Sequence, residues 1–192
     1  MKSFHAPNIG RYYELPDFFV ATSPKAGSTS IARTFAEQDI RHTMQHLVSK
    51  SDKPVILFLR HPLERLVSAF HMMRSRNSGI PQNFPDFVDK VLKKERYTGD
   101  KHWLPQADLH YQGRQFLITE CWPFDKINEL WPDIVGKGQL KWLNRGEKTD
   151  WELLWDELSP TQQQQIIEYY ADDLRLYEKA LARWRNWHTH QS

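Results

Sequence analysis

The sequence predicts an α/β fold in which helices flank a mostly parallel central sheet. Short, continuous apolar runs, typical of buried parallel strands, alternate along the chain with segments in which apolar residues recur at helical spacing. With 192 residues, the chain can form one domain with a substantial core but is short for two. We therefore expect a single domain over 1–192, with an irregular lead-in at 1–16 and a tail at 183–192.

The strands and helices up to residue 144 are predicted from these alternating patterns. The predicted strands are 17–23, 55–59, 115–119 and 139–144. The predicted helices are 28–37, 63–74, 87–95 and 123–131. Strands that alternate with helices are joined by right-handed crossovers, and ligands of such sheets bind beyond the carboxyl ends of the strands.

The last predicted helix spans 159–184. Ser159 is a favoured N-cap, Pro160 suits the first helical position, and Gln162 completes a capping box. Apolar side chains then recur at helical spacing and predict one buried stripe, which consists of Ile166, Tyr170, Leu174, Tyr177 and Leu181.

The stretch SPKAGSTS at 23–30 follows the first predicted strand and suits an anion such as phosphate. Gly27 lets the backbone turn where a side chain would block a ligand, and the hydroxyl residues 28–30 open a helix whose free N–H groups attract anions. Lys25 adds a positive charge, but it precedes the glycine, unlike the lysine of the nucleotide-binding pattern G-x-x-x-x-G-K-[ST]. The alternative is a plain strand-to-helix turn that is capped by Ser28.

A second candidate anion site follows the predicted strand at 55–59, in the stretch LRHPLERLVSAF. Arg60 comes directly after the strand and offers a planar set of donors that suits phosphate, and Ser68 lies in the following helix. If the two strands are neighbours, this pair can hold a second anion near the first. The alternative for Arg60 is a surface ion pair, and Arg65 is interpreted as a packing or salt-bridge residue.

Composition limits the classes of function. The formal net charge is only +2, so nothing indicates general binding to nucleic acid. Cys121 is the single cysteine, so no internal disulfide can form. The first residues contain no long apolar run, and we expect no signal peptide, no membrane anchor and a cytoplasmic location. No metal site is expected, because only His42 and His46 come close to the spacing of metal ligands.

Together, PKAGSTSI and LRHPLERLVSAF resemble the two signature elements of the sulfotransferases, enzymes that use 3′-phosphoadenosine 5′-phosphosulfate (PAPS). The stretch HWLPQ at 102–106 is similar to a motif of carbohydrate sulfotransferases of the chondroitin and HNK-1 type. LKWLNRG and YYADDLRLYEKAL resemble later segments of the same group. The resemblance implies a single P-loop-type domain. One departure is His61, which stands where the family usually has an acidic residue.

The resemblance implies a role for each residue of the two elements. The 3′-phosphate of PAPS would bind to Arg60 and Ser68, and its 5′-phosphosulfate to Lys25, Ala26, Gly27, Ser28, Thr29 and Ser30. The late stretch NRGEK partly resembles a basic loop of the family, which adds Arg145 and Lys148. PAPS would be the donor and PAP the product. Lys25 would also be catalytic, since it can neutralise charge on the bridging oxygen during in-line transfer without a metal.

A general base is needed to take the proton of the acceptor hydroxyl. His102 is the first candidate, since it begins the HWLPQ motif and an ordinary histidine pKa suits the role. The alternative is a structural histidine that packs with Trp103. In the catalytic interpretation, Trp103 stacks on a sugar ring, while Gln106 and Asp108 hold sugar hydroxyls. The further candidates for the base are Asp108, His110 and Glu37.

The expected function is sulfuryl transfer from PAPS to a hydroxyl, with a carbohydrate or glycoconjugate as the acceptor. Two other classes stay open at this point. A P-loop kinase or NTPase would share the fold, although the GK[ST] lysine is missing. A non-catalytic module for nucleotides or polyanions would bind PAP yet never consume PAPS. Neither a nucleic acid nor a membrane is an expected partner, and the oligomeric state is not predicted.

Overall fold

The structure is a computed structural model and describes residues 10–76, 79–93, 100–136, 140–141 and 150–191. Its strands are β1 Arg11–Glu14, β2 Phe19–Thr22, β3 His42–Thr43, β4 Val55–Leu59, β5 Tyr111–Gln112, β6 Gln115–Phe116 and β7 Glu120–Pro123. Its α-helices are α1 Ser28–Ala36, α2 Gln45–Val48, α3 Pro62–Ser75, α4 Phe84–Lys93, α5 Ile127–Ile134, α6 Trp151–Asp156, α7 Pro160–Tyr169 and α8 Ala171–Gln191. Short 3₁₀ helices span Ala107–His110 and Phe124–Lys126.

Five strands form the central sheet, in the order β3-β1-β2-β4-β7. The pairs β2–β4 and β4–β7 are parallel, with Ala21 opposite Leu57 and Leu57 opposite Cys121. β1 runs antiparallel to both of its neighbours, β2 and β3. The expectation of a mostly parallel sheet is thus confirmed for β2, β4 and β7 and not for the pairings of β1. A separate antiparallel pair consists of β5 and β6.

Helices cover both faces of this sheet, as the buried β4 shows. Alternate residues of a strand point to opposite faces. Ile56 and Phe58 belong to a core cluster with α1 and α5, whereas Val55, Leu57 and Leu59 belong to a cluster that Ala180 of α8 joins. Because the strand is apolar on both faces, its sequence is a continuous apolar run. A third cluster lies among α3, α4, α6 and α7.

Two strands of the sheet differ from the prediction. Arg11–Glu14, inside the expected irregular lead-in, is the strand β1. The third predicted strand, 115–119, contains only the short β6, and the strand that joins the sheet is Glu120–Pro123. Glutamate and proline are poor strand formers, so the pattern favoured the apolar residues before them.

The long C-terminal segment forms two helices rather than the predicted single helix over 159–184. The predicted capping box of Ser159 and Gln162 is confirmed at the start of α7. The chain then bends at Tyr170, which is fully buried and whose hydroxyl donates to the backbone carbonyl of Trp103. α8 continues to Gln191, through most of the expected tail. The apolar spacing is the same on both sides of the bend, so the sequence pattern does not reveal it.

Two further expectations concern a strand near residue 140 and helices that could cross a membrane. The predicted strand at 139–144 lies mostly outside the described residues, and residues 140–141 are not in a strand. None of the helices in the described ranges is long and apolar enough to cross a membrane.

Candidate active site

Two loops meet at the carboxyl ends of the neighbouring parallel strands β2 and β4. Residues 23–27 follow β2 and lead into α1, and Arg60 follows β4. Nη1 of Arg60 donates to the Lys25 backbone carbonyl at 3.1 Å, which joins the two loops directly. The condition for two anion sites close together, that β2 and β4 are neighbours, is therefore met.

The loop after β2 is a tight turn with two left-handed residues. The N–H of Ala26 donates to the Ser23 carbonyl at 3.2 Å, Lys25 has φ 66°, and Gly27 has φ 70°. A left-handed conformation costs a lysine about 1–3 kcal/mol and persists only where the surroundings impose it. Here the turn directs the chain into α1, whose first helical bond runs from Ile31 N–H to the Gly27 carbonyl at 2.9 Å.

Gly27 is required for a second reason, because the ring of Phe124 lies against it. A β-carbon at position 27 would stand 2.3 Å from Cε2 of Phe124. Phe124 begins the 3₁₀ helix after β7, so the end of the third parallel strand packs on the turn. This close contact fixes the turn against the sheet.

The hydroxyl residues at the start of α1 differ in exposure. Ser28 and Thr29 line a cavity, whereas Ser30 and Ala26 are buried. The first N–H groups of a helix have no partner within the helix, and the helix dipole favours negative charge there. The half-buried Ser28 and the exposed Thr29 thus stand where an anion is favoured.

Positive charge is concentrated around the turn. Burial is the main cause that lowers the pKa of Lys25, and the like charges of Arg60, Arg76 and Arg65 lower it further. Glu64 partly offsets this charge, since its Oε2 lies 3.5 Å from Nε of Arg60. A dianionic or polyanionic group would relieve the repulsion among these cations.

Arg65 is fully buried and makes its hydrogen bonds to backbone carbonyls. Its guanidinium donates to the carbonyls of Pro24 at 2.8 Å, Leu104 at 2.6 Å and Lys101 at 2.9 Å. The interpretation as a packing residue is confirmed, and the described partners are carbonyls rather than a carboxylate. Arg65 therefore connects the turn after β2 to the loop that carries His102.

His102 lies beside the turn, at a cavity of about 210 Å³. The side chain is 21% exposed. Its Nδ1 lies 2.5 Å from Oδ1 of Asp100, and its backbone N–H donates to the same oxygen at 2.9 Å. The residues that line the cavity are Arg11, Thr22, Pro24, Ser28, Thr29, Ala32, Lys101 and His102.

The pKa of His102 is lowered from the usual histidine value. Burial is the main cause, and the charges of Lys101 and Lys25 act in the same direction, while the hydrogen bond and charge of Asp100 oppose them. A lowered pKa keeps the imidazole neutral at pH 7, in the form that can accept a proton.

The other candidate bases are placed unfavourably for contact with a substrate. His110 is fully buried, with Nδ1 2.9 Å from the Tyr12 hydroxyl and Nε2 3.0 Å from the Ser23 hydroxyl, and burial lowers its pKa to about 3. Glu37 lies at the opposite end of α1 from the turn and pairs with Lys141. Asp108 is buried.

Two side chains that were expected to contact a sugar belong to the core instead. Trp103 is 2% exposed and packs edge-to-face on Phe87, with ring centroids 5.6 Å apart. Gln106 is fully buried, accepts from the Arg60 N–H at 3.3 Å and donates to the Arg60 carbonyl at 2.8 Å. The interpretation of both as sugar contacts is wrong, because neither can reach a ligand.

Four further residues of the two resemblance motifs and the late basic loop are Ser68, Arg145, Lys148 and His61. Ser68 is half-buried on α3, about two helical turns beyond Arg60. Arg145 and Lys148 lie outside the described residues. His61 packs between Trp151 and Tyr177, at centroid distances of 5.1 and 5.2 Å. Over the described ranges, no group of three or more histidine, cysteine, aspartate or glutamate side chains could hold a metal ion.

Sequence reasoning missed three charged residues of this site. Arg11 was placed in the irregular lead-in, although RYYE can also be read as a strand with exposed ends. Lys101 lies next to His102 and lines the same cavity. Arg76 is at the end of α3, and no local pattern connects it with Lys25.

The fold and the site define a class: an α/β domain with a positively charged turn where a parallel strand enters a helix. A family model described as "Sulfotransferase family" matches residues 10–134, which include both loops and His102. The match covers more than half of the chain, and the chain belongs to the sulfotransferase family. Membership implies a transferase that moves a sulfuryl group. Comparisons with curated proteins and with solved structures found no match.

Proposed function

We propose that the protein transfers a sulfuryl group from PAPS to a hydroxyl of a carbohydrate or glycoconjugate. The observation that carries this proposal is the position of Lys25, in a turn at the N-terminus of α1 and among Arg60, Arg65 and Arg76. These like charges and the helix dipole favour a ligand with several negative charges. PAPS has such charges at both ends of its nucleotide.

The residues at the turn fit the two anionic ends of this donor. Lys25 and the residues 26–30 would hold the 5′-phosphosulfate, and Arg60 with Ser68 would hold the 3′-phosphate. The left-handed turn at Gly27, which leads into α1, and the half-buried Ser28 and exposed Thr29 at the cavity support the first assignment. The half-exposed guanidinium of Arg60 supports the second. When bound, PAPS supplies an activated sulfuryl group with PAP as its leaving group.

Two side chains perform the chemistry in this proposal. His102 takes the proton of the acceptor hydroxyl as the new oxygen–sulfur bond forms. Lys25 neutralises the negative charge that grows on the leaving phosphate oxygen as the old sulfur–oxygen bond breaks. The cavity that His102 shares with Ser28 and Thr29 supports this division of roles, because His102 lies beside the turn there.

The proposal of a carbohydrate acceptor depends on the resemblance of the HWLPQ motif to carbohydrate sulfotransferases. The side chains of Trp103 and Gln106 do not support it, because both are buried. Thr22, Arg11 and Lys101 line the cavity and offer hydrogen-bond donors to an acceptor with several hydroxyls. A single domain over 1–192 and a cytoplasmic location stay predictions from the sequence.

Thermal unfolding with different nucleotides tests the proposed donor. A ligand that binds only the native state at 100 times its Kd stabilises a protein by about 2.7 kcal/mol. We expect PAP to raise the Tm by several degrees, and ATP with Mg²⁺ to raise it little. Equal stabilisation by both ligands, or none by PAP, would contradict the proposal.

A further inference from the structure

Asp100 holds His102 at both its side chain and its backbone. One carboxylate oxygen, Oδ1, lies 2.5 Å from Nδ1 of His102 and accepts the backbone N–H of His102 at 2.9 Å. The backbone carbonyl of Asp100 accepts the N–H groups of Trp103 at 3.0 Å and Leu104 at 3.1 Å. The carboxylate of Asp100 therefore holds the ring of His102, and the backbone carbonyl of Asp100 holds the two residues that follow His102.

We propose that Asp100 is a positioning residue that sets the tautomer and the orientation of His102. The proposal rests on the proposed role of His102 as the base. An ionised carboxylate only accepts hydrogen bonds, so the proton of the neutral imidazole resides on Nδ1. Nε2 then carries the lone pair that can take the proton of an acceptor hydroxyl.

The charge of Asp100 also acts on the protonated form of His102. The cations that face His102 are Lys101 and Lys25, and Arg11 lines the same cavity. The charges of Lys101 and Lys25 disfavour the imidazolium that forms when the base takes a proton. Asp100 opposes them at the closest distance, so it stabilises the product of that step without touching the substrate.

The variant Asp100→Asn separates this role from a purely structural one. Asparagine has the same shape and can still accept the backbone N–H of His102 through its Oδ1. It lacks the negative charge, and its amide can rotate to donate to Nδ1, which would favour the wrong tautomer of His102. The residue is partly exposed, with 35% of its side chain accessible, so we expect the variant to fold.

The first measurement is the pH dependence of kcat. A base must be neutral, so the wild-type rate rises with pH through the pKa of His102. Loss of the Asp100 charge lowers this pKa, and the acidic limb moves to lower pH in Asp100→Asn. The plateau of kcat falls about ten-fold or more, but by less than the roughly 10²- to 10⁴-fold loss expected from removal of the base. The stabilisation by PAP stays unchanged.

The second measurement does not depend on activity. NMR of ¹⁵N-labelled histidine reports the tautomer and the titration of His102, whose signals are identified by their loss in His102→Gln. The wild type should show the Nδ1–H tautomer, and Asp100→Asn should show a lower pKa and a mixture of tautomers. If no acceptor is ever sulfated, the proposed function fails, and these spectra still decide the role of Asp100.

The matched control is Asp86→Asn, which removes one carboxylate from an exposed position on α4. It should leave the pH profile and the His102 signals unchanged. The proposal is overturned if Asp100→Asn has the wild-type tautomer and titration of His102. It is also overturned if the variant loses activity only in proportion to its loss of folded protein, with no shift of the acidic limb.

Discussion

Single residues of the turn show how a strained backbone and a close contact can make a binding site. Gly27 has a positive φ and the ring of Phe124 against its Cα, and Lys25 has a positive φ without being glycine. The turn is thus held in one conformation, which positions the N-terminus of α1. Small changes at these two positions should have large effects on anion binding.

Gly27→Ala should unfold more easily than the wild type and lose its stabilisation by PAP. With a β-carbon, the positive φ would cost about 1–2 kcal/mol of stability, and the β-carbon would also clash with the ring of Phe124. Gly113→Ala is the matched control, because Gly113 also has a positive φ, 61°, but has open space around it. It should lose only the strain energy and keep PAP binding. Equal effects of both variants on Tm and on PAP binding would show that the contact with Phe124 is unimportant.

Lys25→Met should stabilise the free protein slightly and abolish most turnover. The pKa of Lys25 is lower in the folded than in the unfolded chain, so its charged form costs stability at all pH values below the folded pKa. Methionine removes the charge and keeps a linear side chain, and the β-carbon leaves the backbone strain unchanged. Tm without ligand, Tm with PAP and kcat are the three measurements. A lower Tm in the free variant would argue against repulsion from Arg60, Arg65 and Arg76.

At the scale of elements, side chains of α3 and α8 hold the loops of the site, in addition to the hydrogen bonds within each loop. Arg65 on α3 joins the turn after β2 to the loop of His102. Asp173 at the start of α8 accepts the N–H groups of Gln106 and Ala107 at 2.7 and 2.8 Å. The sequence predicted α3 and the turn, but it did not show which helix would support the loop of His102. Such contacts join residues far apart in the chain, and no local pattern records them.

Arg65→Ala should mainly lower the stability of the fold, whereas Arg60→Ala should mainly weaken the binding of PAP. Arg65 bonds three carbonyls and is fully buried, so its removal should cost about 3 kcal/mol or more and lower the Tm by roughly 6–12 °C. Arg60 is partly exposed, so its removal should change the Tm little but weaken PAP binding by roughly 1.5–3 kcal/mol. Titration calorimetry and thermal unfolding measure the two effects. If Arg65→Ala does not fold, Arg65→Lys gives a smaller loss of Tm in the same direction.

His110 should make stability fall in acid, because as a neutral group it joins the 3₁₀ helix Ala107–His110 to Tyr12 of β1 and to Ser23 after β2. Its pKa is lowered to about 3 in the folded protein, below the usual histidine value of about 6.5. The unfolded chain therefore binds a proton that the folded protein excludes between these two pH values. Stability should decrease by roughly 1.4 kcal/mol per pH unit as the pH falls below about 6.

The variant His110→Gln tests this expectation by urea unfolding between pH 4 and pH 7. It should be less stable than the wild type at pH 7, and the difference should shrink as the pH falls. His46→Gln, a change at an exposed position of α2, is the control. A constant difference between His110→Gln and the wild type at every pH would exclude His110 as the titrating group.

The whole molecule shows which features the sequence could predict. Val55–Leu59 is predicted with its observed ends, because a strand buried on both faces is a continuous apolar run. The bend at Tyr170 is not predicted, because the helical spacing of apolar residues continues through it. The strand β1 is not predicted, because its two end residues are charged. Trp103 was assigned to a sugar and lies in the core. A motif places residues in a loop, but only tertiary packing decides which of them face a ligand.

The most direct test of the central claim is the consumption of sulfur-labelled PAPS in the presence of hydroxyl acceptors. The panel contains sugars, glycolipids, phenols and small alcohols, and formation of PAP and of labelled product is followed together. We expect label to pass to a carbohydrate acceptor without Mg²⁺, PAP to form in equal amount, and Lys25→Met to lose the reaction. A protein that is stabilised by PAP but consumes no PAPS with any acceptor class would contradict the account and would be a nucleotide-binding module.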